Sequence, residues 1–104
     1  MLTRKLAAAR DPSSWEPRAP RQDSALVVEV SGPTVQPFRS RVRNVSTSGM
    51  LIDSPHALQV GDVLAAAMPG AGEVMCVVVR FRRGAAGVRF LHGVDDSQAA
   101  AWSL

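Results

Sequence analysis

Residues 73–90 read EVMCVVVRFRRGAAGVRF, and they carry the plainest structural signal in the chain. Residues 74–79 are apolar at every position, which is typical of a central β-strand that is covered on both faces. Residues 83–87 contain two glycines and predict a hairpin, and residues 88–91 predict the returning strand. The segment therefore indicates two antiparallel neighbours in the middle of a sheet.

Four further strands are predicted on the N-terminal side of this pair, at residues 25–30, 38–44, 50–52 and 63–68. The second of them alternates arginines with apolar or small polar residues, which is the period of two expected of a strand. Residues 97–104 are alanine-rich and predict a helix, preceded by Asp95 and Asp96, whose charges suit its dipole. Six short strands with turns about every 8 to 12 residues predict an all-β antiparallel barrel or sandwich.

The formal net charge of +3 is concentrated at the start of the chain. Residues 1–21 hold five basic and two acidic side chains, whereas residues 22–104 hold seven of each. A protein that binds DNA or RNA usually carries a basic stripe across its folded surface, so we expect no DNA or RNA partner. A basic segment at residues 1–21, next to a remainder with no net charge, suits the binding of a small anionic ligand. We expect residues 1–16 to form a flexible basic arm and residues 17–104 to form a single domain.

The sequence offers few side chains that could catalyse a reaction or bind a metal. Cys76 is the single cysteine, and it lies in the middle of the apolar strand, where a thiol behaves as a small hydrophobe. The two histidines, His56 and His92, have no neighbouring base and no zinc-ligand spacing. We therefore expect no enzyme activity, no metal and no cofactor. No run resembles a signal sequence or a membrane span, so we expect a cytoplasmic protein without membrane insertion.

Two polar segments remain as candidates for binding. Residues 17–21, Pro-Arg-Ala-Pro-Arg, place arginines on a stiff extended arm, and guanidinium groups bind phosphate bidentately and stack on purines. Residues 44–49, Asn-Val-Ser-Thr-Ser-Gly, offer an amide, hydroxyls and a glycine that lets a ligand approach the backbone. Such a set can bind a guanine edge and a phosphate.

In this order and on this strand pattern, the two segments resemble the motifs of the PilZ domain family, small bacterial β-barrels that bind cyclic di-GMP. The family hallmarks are Arg-x-x-x-Arg ahead of the first strand and a later Asp/Asn-x-Ser-x-x-Gly, which residues 44–49 match in full. Residues 50–52, 60–62 and 87–90 also look like the family framework. The resemblance spans residues 17–95 and implies a six-stranded antiparallel β-barrel of PilZ type with a short C-terminal helix.

The resemblance also implies a ligand site, in which cyclic di-GMP is the ligand and no separate cofactor takes part. Arg18 and Arg21 would hold phosphates and stack on guanine, and Asn44 would bind a guanine edge. Ser46 would bind phosphate or base, and Gly49 would shape the turn.

The resemblance leaves two functions open. The first is a cyclic di-GMP receptor or adaptor, whose N-terminal arm changes on ligand binding and which signals through a protein partner. The second is a degenerate PilZ-like interaction module that does not bind nucleotide. Family members often read Arg-Arg-Ala-Pro-Arg in the first motif, whereas Pro17 stands at the first arginine position here, and this departure favours the second function.

Overall fold

Seven β-strands and one short α-helix make up the part of the chain that the computed structural model describes, residues 21–104. In chain order they are β1 (Gln22–Asp23), β2 (Val27–Gly32), β3 (Val35–Val45), β4 (Gly49–Asp53), β5 (Val63–Met68), β6 (Gly72–Arg82), β7 (Ala85–Phe90) and α1 (Asp96–Trp102). The predicted arm at residues 1–16, together with Pro17 and Arg18, lies outside the described residues.

The strands β2 to β7 close into an antiparallel barrel. Their spatial order is β3-β2-β5-β6-β7-β4, and the pairing of β3 with β4 joins the two ends. The predicted six-stranded barrel with a short C-terminal helix is confirmed. The two-residue strand β1 was not predicted; it pairs with Asn44 and Val45 at the end of β3, on the edge of β3 opposite β4.

The hairpin between β6 and β7 is tighter than the sequence predicts. Its turn consists of Arg83 and Gly84, which both have positive φ, 51° and 77°. Positive φ at both central residues matches the right-handed twist of the strands and permits a two-residue connection. The remaining residues of the predicted hairpin, residues 85–87, therefore belong to β7.

Alternate residues of the strands fill the barrel interior. Met50 and Ile52 of β4 and Cys76 and Val78 of β6 are all completely buried. Neighbouring side chains of a strand point to opposite faces, so the residues between them lie on the outer face of the barrel.

Helix α1 begins and ends earlier than predicted. Asp95 is its N-cap, with Oδ1 accepting from the N–H of Gln98 at 2.7 Å while the Gln98 side chain accepts from the N–H of Asp95 at 3.3 Å. This reciprocal capping box fixes the start of the helix. At the other end, the backbone leaves the helical conformation at Ser103, and the N–H of Leu104 donates to the carbonyl of Asp23 at 2.7 Å. Among the described residues, no helix is long and apolar enough to cross a membrane.

Trp102 fixes α1 to the barrel. Its side chain is 2% exposed, and Nε1 donates to the carbonyl of Pro69, in the β5–β6 turn, at 2.9 Å. The indole also meets the ring of Phe90 edge to face, with 6.2 Å between ring centroids. The carbonyl of Trp102 accepts from the hydroxyl of Ser24 at 2.5 Å, which ties the end of α1 to the chain that follows β1.

Candidate functional site

The turn between β3 and β4 carries most of residues 44–49. Ser46 is 2% exposed, and its Oγ accepts from the backbone N–H groups of Ser48 at 3.2 Å and Gly49 at 3.3 Å. The N–H of Ser46 in turn donates to the carbonyl of Gly49 at 2.9 Å. The serine hydroxyl thus holds the turn in shape together with Gly49, whose buried backbone begins β4. A contact between Ser46 and a phosphate or base stays a prediction.

Two backbone hydrogen bonds attach this turn to the chain around the end of β7. The N–H of Phe90 donates to the carbonyl of Ser48 at 2.9 Å, and the N–H of Val94 donates to the carbonyl of Thr47 at 3.0 Å. A turn attached to a neighbouring segment at two points is a rigid support, which is what a binding residue beside it requires.

Arg21 and Asn44, which lie 23 positions apart in the chain, meet in the structure. Strand β1 pairs Gln22 with Val45 and Asp23 with Asn44, so Arg21 approaches β3 from the edge opposite β4. Its Nε donates to Asn44 Oδ1 at 2.8 Å, and both side chains are half-buried. Of the predicted ligand-binding residues, the structure therefore brings together the last arginine of the first motif and the first residue of the second.

A row of outward-facing residues continues from Asn44 across the barrel to β6. Asn44 pairs with Leu51 of β4, Leu51 pairs with Gly87 of β7, and Gly87 pairs with Arg80 of β6. The strand neighbours of Leu51 and Gly87 are fully buried core residues, so these two positions face outward. The row places a second arginine at the far end of the surface that begins at Asn44.

The side chain of Arg80 lies over Gly87. A Cβ placed on Gly87 would stand 3.7 Å from Cβ and 3.9 Å from Nε of Arg80. The Nε end of the Arg80 side chain therefore lies over Gly87 of β7. Sequence reasoning missed this residue, because a β-bulge between Val78 and Arg80 sets its register and no sequence pattern announces the bulge.

A third arginine stands next to this row. Arg89 is exposed and pairs with Gly49, the last residue of the second motif. We call the surface formed by Arg21, Asn44, Arg80 and Arg89 the arginine face. The nearby carboxylate of Asp53 is engaged by Arg43, whose Nε lies 2.6 Å from Asp53 Oδ1. A cationic surface with an amide at one end is suited to an anionic ligand that also presents a hydrogen-bonding edge.

The cysteine and the two histidines were considered above for catalysis, and the structure shows the surroundings of each. Burial raises the pKa of the Cys76 thiol to about 12, so the reactive thiolate is suppressed. His56 packs edge to face against Phe38, with 5.3 Å between ring centroids, and His92 is exposed after β7. Within residues 21–104, no group of three or more His, Cys, Asp or Glu side chains could hold a metal ion.

Comparison with known protein families agrees with this geometry. The family model described as PilZ domain matches residues 16–102, which is nearly the whole chain and includes both polar segments. No curated protein matches the sequence. The match confirms the resemblance inferred from residues 44–49 and from the strand pattern. With the closed barrel and the Arg21–Asn44 contact already in place, the chain belongs to the PilZ domain family.

Proposed function

We propose that this protein is a cyclic di-GMP receptor that passes the signal to a protein partner. The observation that carries the proposal is the hydrogen bond between Arg21 and Asn44, because it joins the two family motifs in one place. Membership of the PilZ family supports a binding module of this type. A dianionic ligand also fits a chain whose excess positive charge lies in residues 1–21.

The roles of the residues follow from their chemistry. The guanidinium groups of Arg18 and Arg21 hold the phosphates and stack on the guanine bases. The Asn44 amide binds a guanine edge, and ligand binding exchanges its bond with Arg21 for one with the base. Ser46 and Gly49 keep the turn in the shape that presents Asn44, with the Ser46 hydroxyl available to a phosphate.

Signalling follows from the change of the basic segment on ligand binding. In the proposal, residues 1–16 rearrange when Arg18 and Arg21 engage the ligand, and the new surface binds a cytoplasmic protein partner. Arg21 lies in the chain between residues 1–16 and β1. A movement of Arg21 on ligand binding therefore also moves the backbone that connects it to residues 1–16.

Calorimetric titration of the full chain with cyclic di-GMP tests the proposal. We expect binding at micromolar concentrations, weakened about ten- to a hundredfold in Arg21→Ala, the cost of losing one charge-assisted hydrogen bond. Arg39→Ala is the matched control, since Arg39 is an exposed arginine of β3 paired with Glu29 at 3.3 Å. The absence of heat with the unmutated chain at micromolar concentrations would remove the receptor function.

The second candidate is an interaction module that no longer binds nucleotide. One observation favours it: Pro17 occupies the position of the first arginine of the family motif. NMR spectra of residues 1–16 separate the two functions. If those signals do not move when cyclic di-GMP is added, while a protein partner shifts them, the interaction module is correct.

A further inference from the structure

We infer that the outer side of β5 and β6 is the interface of a weak homodimer, in which a second copy of this chain packs on the same surface in the opposite direction. The surface consists of apolar side chains that are exposed or half-buried in the single chain. We call it the apolar face, and its members are Val63, Ala65, Met75, Val77 and Leu91. The inference goes beyond the proposed function and does not depend on ligand binding.

The strand register makes the apolar face continuous. Val63 of β5 pairs with Val77 of β6. Ala65 pairs with Met75, whose carbonyl accepts from the N–H of Leu91 at 2.9 Å, just after β7. The strand positions between these residues are buried in the core, so the five side chains lie together on the outside of the barrel.

Solvent reaches much of this surface in the single chain. Val63 is 36% exposed, Met75 41% and Leu91 51%. Single exposed apolar residues are normal on a protein, whereas a group of neighbouring ones on adjacent strands marks a surface that interacts with another molecule.

Opposite charges lie at the two ends of the apolar face. Glu73 is exposed and stands two positions before Met75, on the same side of β6. At the other end, Arg89 is exposed and pairs with Val77. Four residues of strand separate the two levels, roughly 13 Å, so the two side chains do not reach each other within one chain. Among the residues that the structure describes, neither belongs to an ion pair.

A second copy brings these charges together. We place a two-fold axis beside Met75, parallel to the sheet and at right angles to its strands, so that β6 of one copy runs antiparallel to β6 of the other. Glu73 then lies opposite Val77 of the other copy, about 4.8 Å from the strand that carries Arg89. The symmetry repeats the same contact on the other side of the axis. This charge complementarity identifies a second copy as the occupant of the apolar face.

The nearest other carboxylates are already engaged. Asp62 precedes β5, and its Oδ2 accepts from the N–H of Gln59 at 2.9 Å. Glu29 of β2 lies 3.3 Å from Arg39. Glu73 is therefore the carboxylate that meets the arginine of the other copy.

The small size of the apolar face predicts a weak dimer. Stable interfaces bury about 800 Å² on each partner and involve about 20–30 residues a side, which is more than five apolar residues and two charges provide. We expect a dissociation constant of roughly 10–500 µM, so that the dimer forms at high concentration.

Analytical ultracentrifugation of the full chain without nucleotide, from about 10 µM to about 1 mM, tests the inference. We expect the average mass to rise toward twice the chain mass. Met75→Glu places two carboxylates face to face at the axis and should weaken the dimer at least about tenfold. Val60→Glu is the matched control, since Val60 is 66% exposed and lies outside the apolar face. It should leave the dissociation constant within about twofold.

A charge exchange identifies the orientation of the two copies. Glu73→Arg and Arg89→Glu should each weaken the dimer about fivefold, because each replaces two attractive pairs by two repulsive ones. The double variant restores both pairs with their signs exchanged, so its dissociation constant should return to within about twofold of the unmutated value. Thermal unfolding by circular dichroism checks that every variant keeps the barrel.

Three results overturn the inference. The first is a monomer at every concentration, and the second is a dimer that Met75→Glu leaves unchanged. The third is a double variant as weak as the single ones, which rules out the antiparallel arrangement. If the unmutated chain is a monomer and Met75→Glu shifts the NMR signals of residues 1–16, that segment covers the apolar face instead of a second copy.

Discussion

Removing the indole of Trp102 tests whether the C-terminal helix is a structural part of the barrel. The side chain is 2% exposed and donates a hydrogen bond to the carbonyl of Pro69 at 2.9 Å. It also contacts Phe90 edge to face. We propose two substitutions: Trp102→Ala, which removes every contact, and Trp102→Phe, which keeps an aromatic ring but removes the donor.

The two substitutions have different expected costs. Truncation of a buried tryptophan to alanine costs about 3–5 kcal/mol. Phenylalanine keeps most of the apolar burial and loses the hydrogen bond, which contributes about 1 kcal/mol. Domains of this size have free energies of unfolding of about 5–15 kcal/mol, so Trp102→Ala removes a large fraction of the total. It also loosens the end of α1, whose backbone carbonyl at position 102 accepts from Ser24, so we expect the proposed ligand to bind several-fold more weakly.

Urea unfolding followed by far-ultraviolet circular dichroism measures these costs, because the substitution itself alters tryptophan fluorescence. Val60→Ala is the control, since Val60 is 66% exposed and should change the free energy of unfolding by less than about 0.5 kcal/mol. The reasoning is refuted if Trp102→Ala costs less than about 1 kcal/mol, or if alanine and phenylalanine cost the same.

Three further predictions concern the turn, a close backbone contact and the buried thiol. Ser46→Ala leaves two turn N–H groups without their acceptor and should lower the free energy of unfolding by about 1–2 kcal/mol in urea, whereas Thr47→Ala should have little effect. Gly32→Ala places a Cβ 2.6 Å from the carbonyl oxygen of Val63, and the forced shift of β2 from β5 should cost about 1–3 kcal/mol by the same assay. Burial raises the pKa of Cys76 from 9.0 to about 12, so the folded protein should resist a thiol reagent at pH 8 and react after unfolding. Because the unfolded chain loses this proton first, the free energy of unfolding should fall between pH 9 and 12, by at most about 1.4 kcal/mol per pH unit; a flat profile would contradict the assignment.

The barrel could be predicted from sequence because its strands carry local signals. Residues 74–79 are apolar throughout, and the structure places them in β6, between β5 and β7. The turn at residues 44–49 also has a sequence signature, and the structure shows its mechanism in the hydroxyl of Ser46. Both features depend on residues that are close together in the chain.

The composition of the arginine face could not be predicted in the same way. Strand β1 has two residues, which is too short for any periodicity, yet it decides that Arg21 meets Asn44. The bulge between Val78 and Arg80 shifts the register of β6. As a result Arg80 pairs with Gly87 and lies in the same row as Asn44. In each case the decisive fact is a pairing between distant segments, and a single sequence does not record it.

The position of Arg21 depends on the opposite end of the chain. Strand β1 is held by β3 on one side, and the N–H of Leu104 donates to the carbonyl of Asp23. The hydroxyl of Ser24 donates to Trp102, 78 positions later. Free-energy coupling between two sites is reciprocal, so we expect a ligand that holds Arg21 in place to stabilise the end of α1 as well. We therefore predict that the C-terminal helix is coupled to the proposed ligand site through β1, although none of its residues belongs to either family motif.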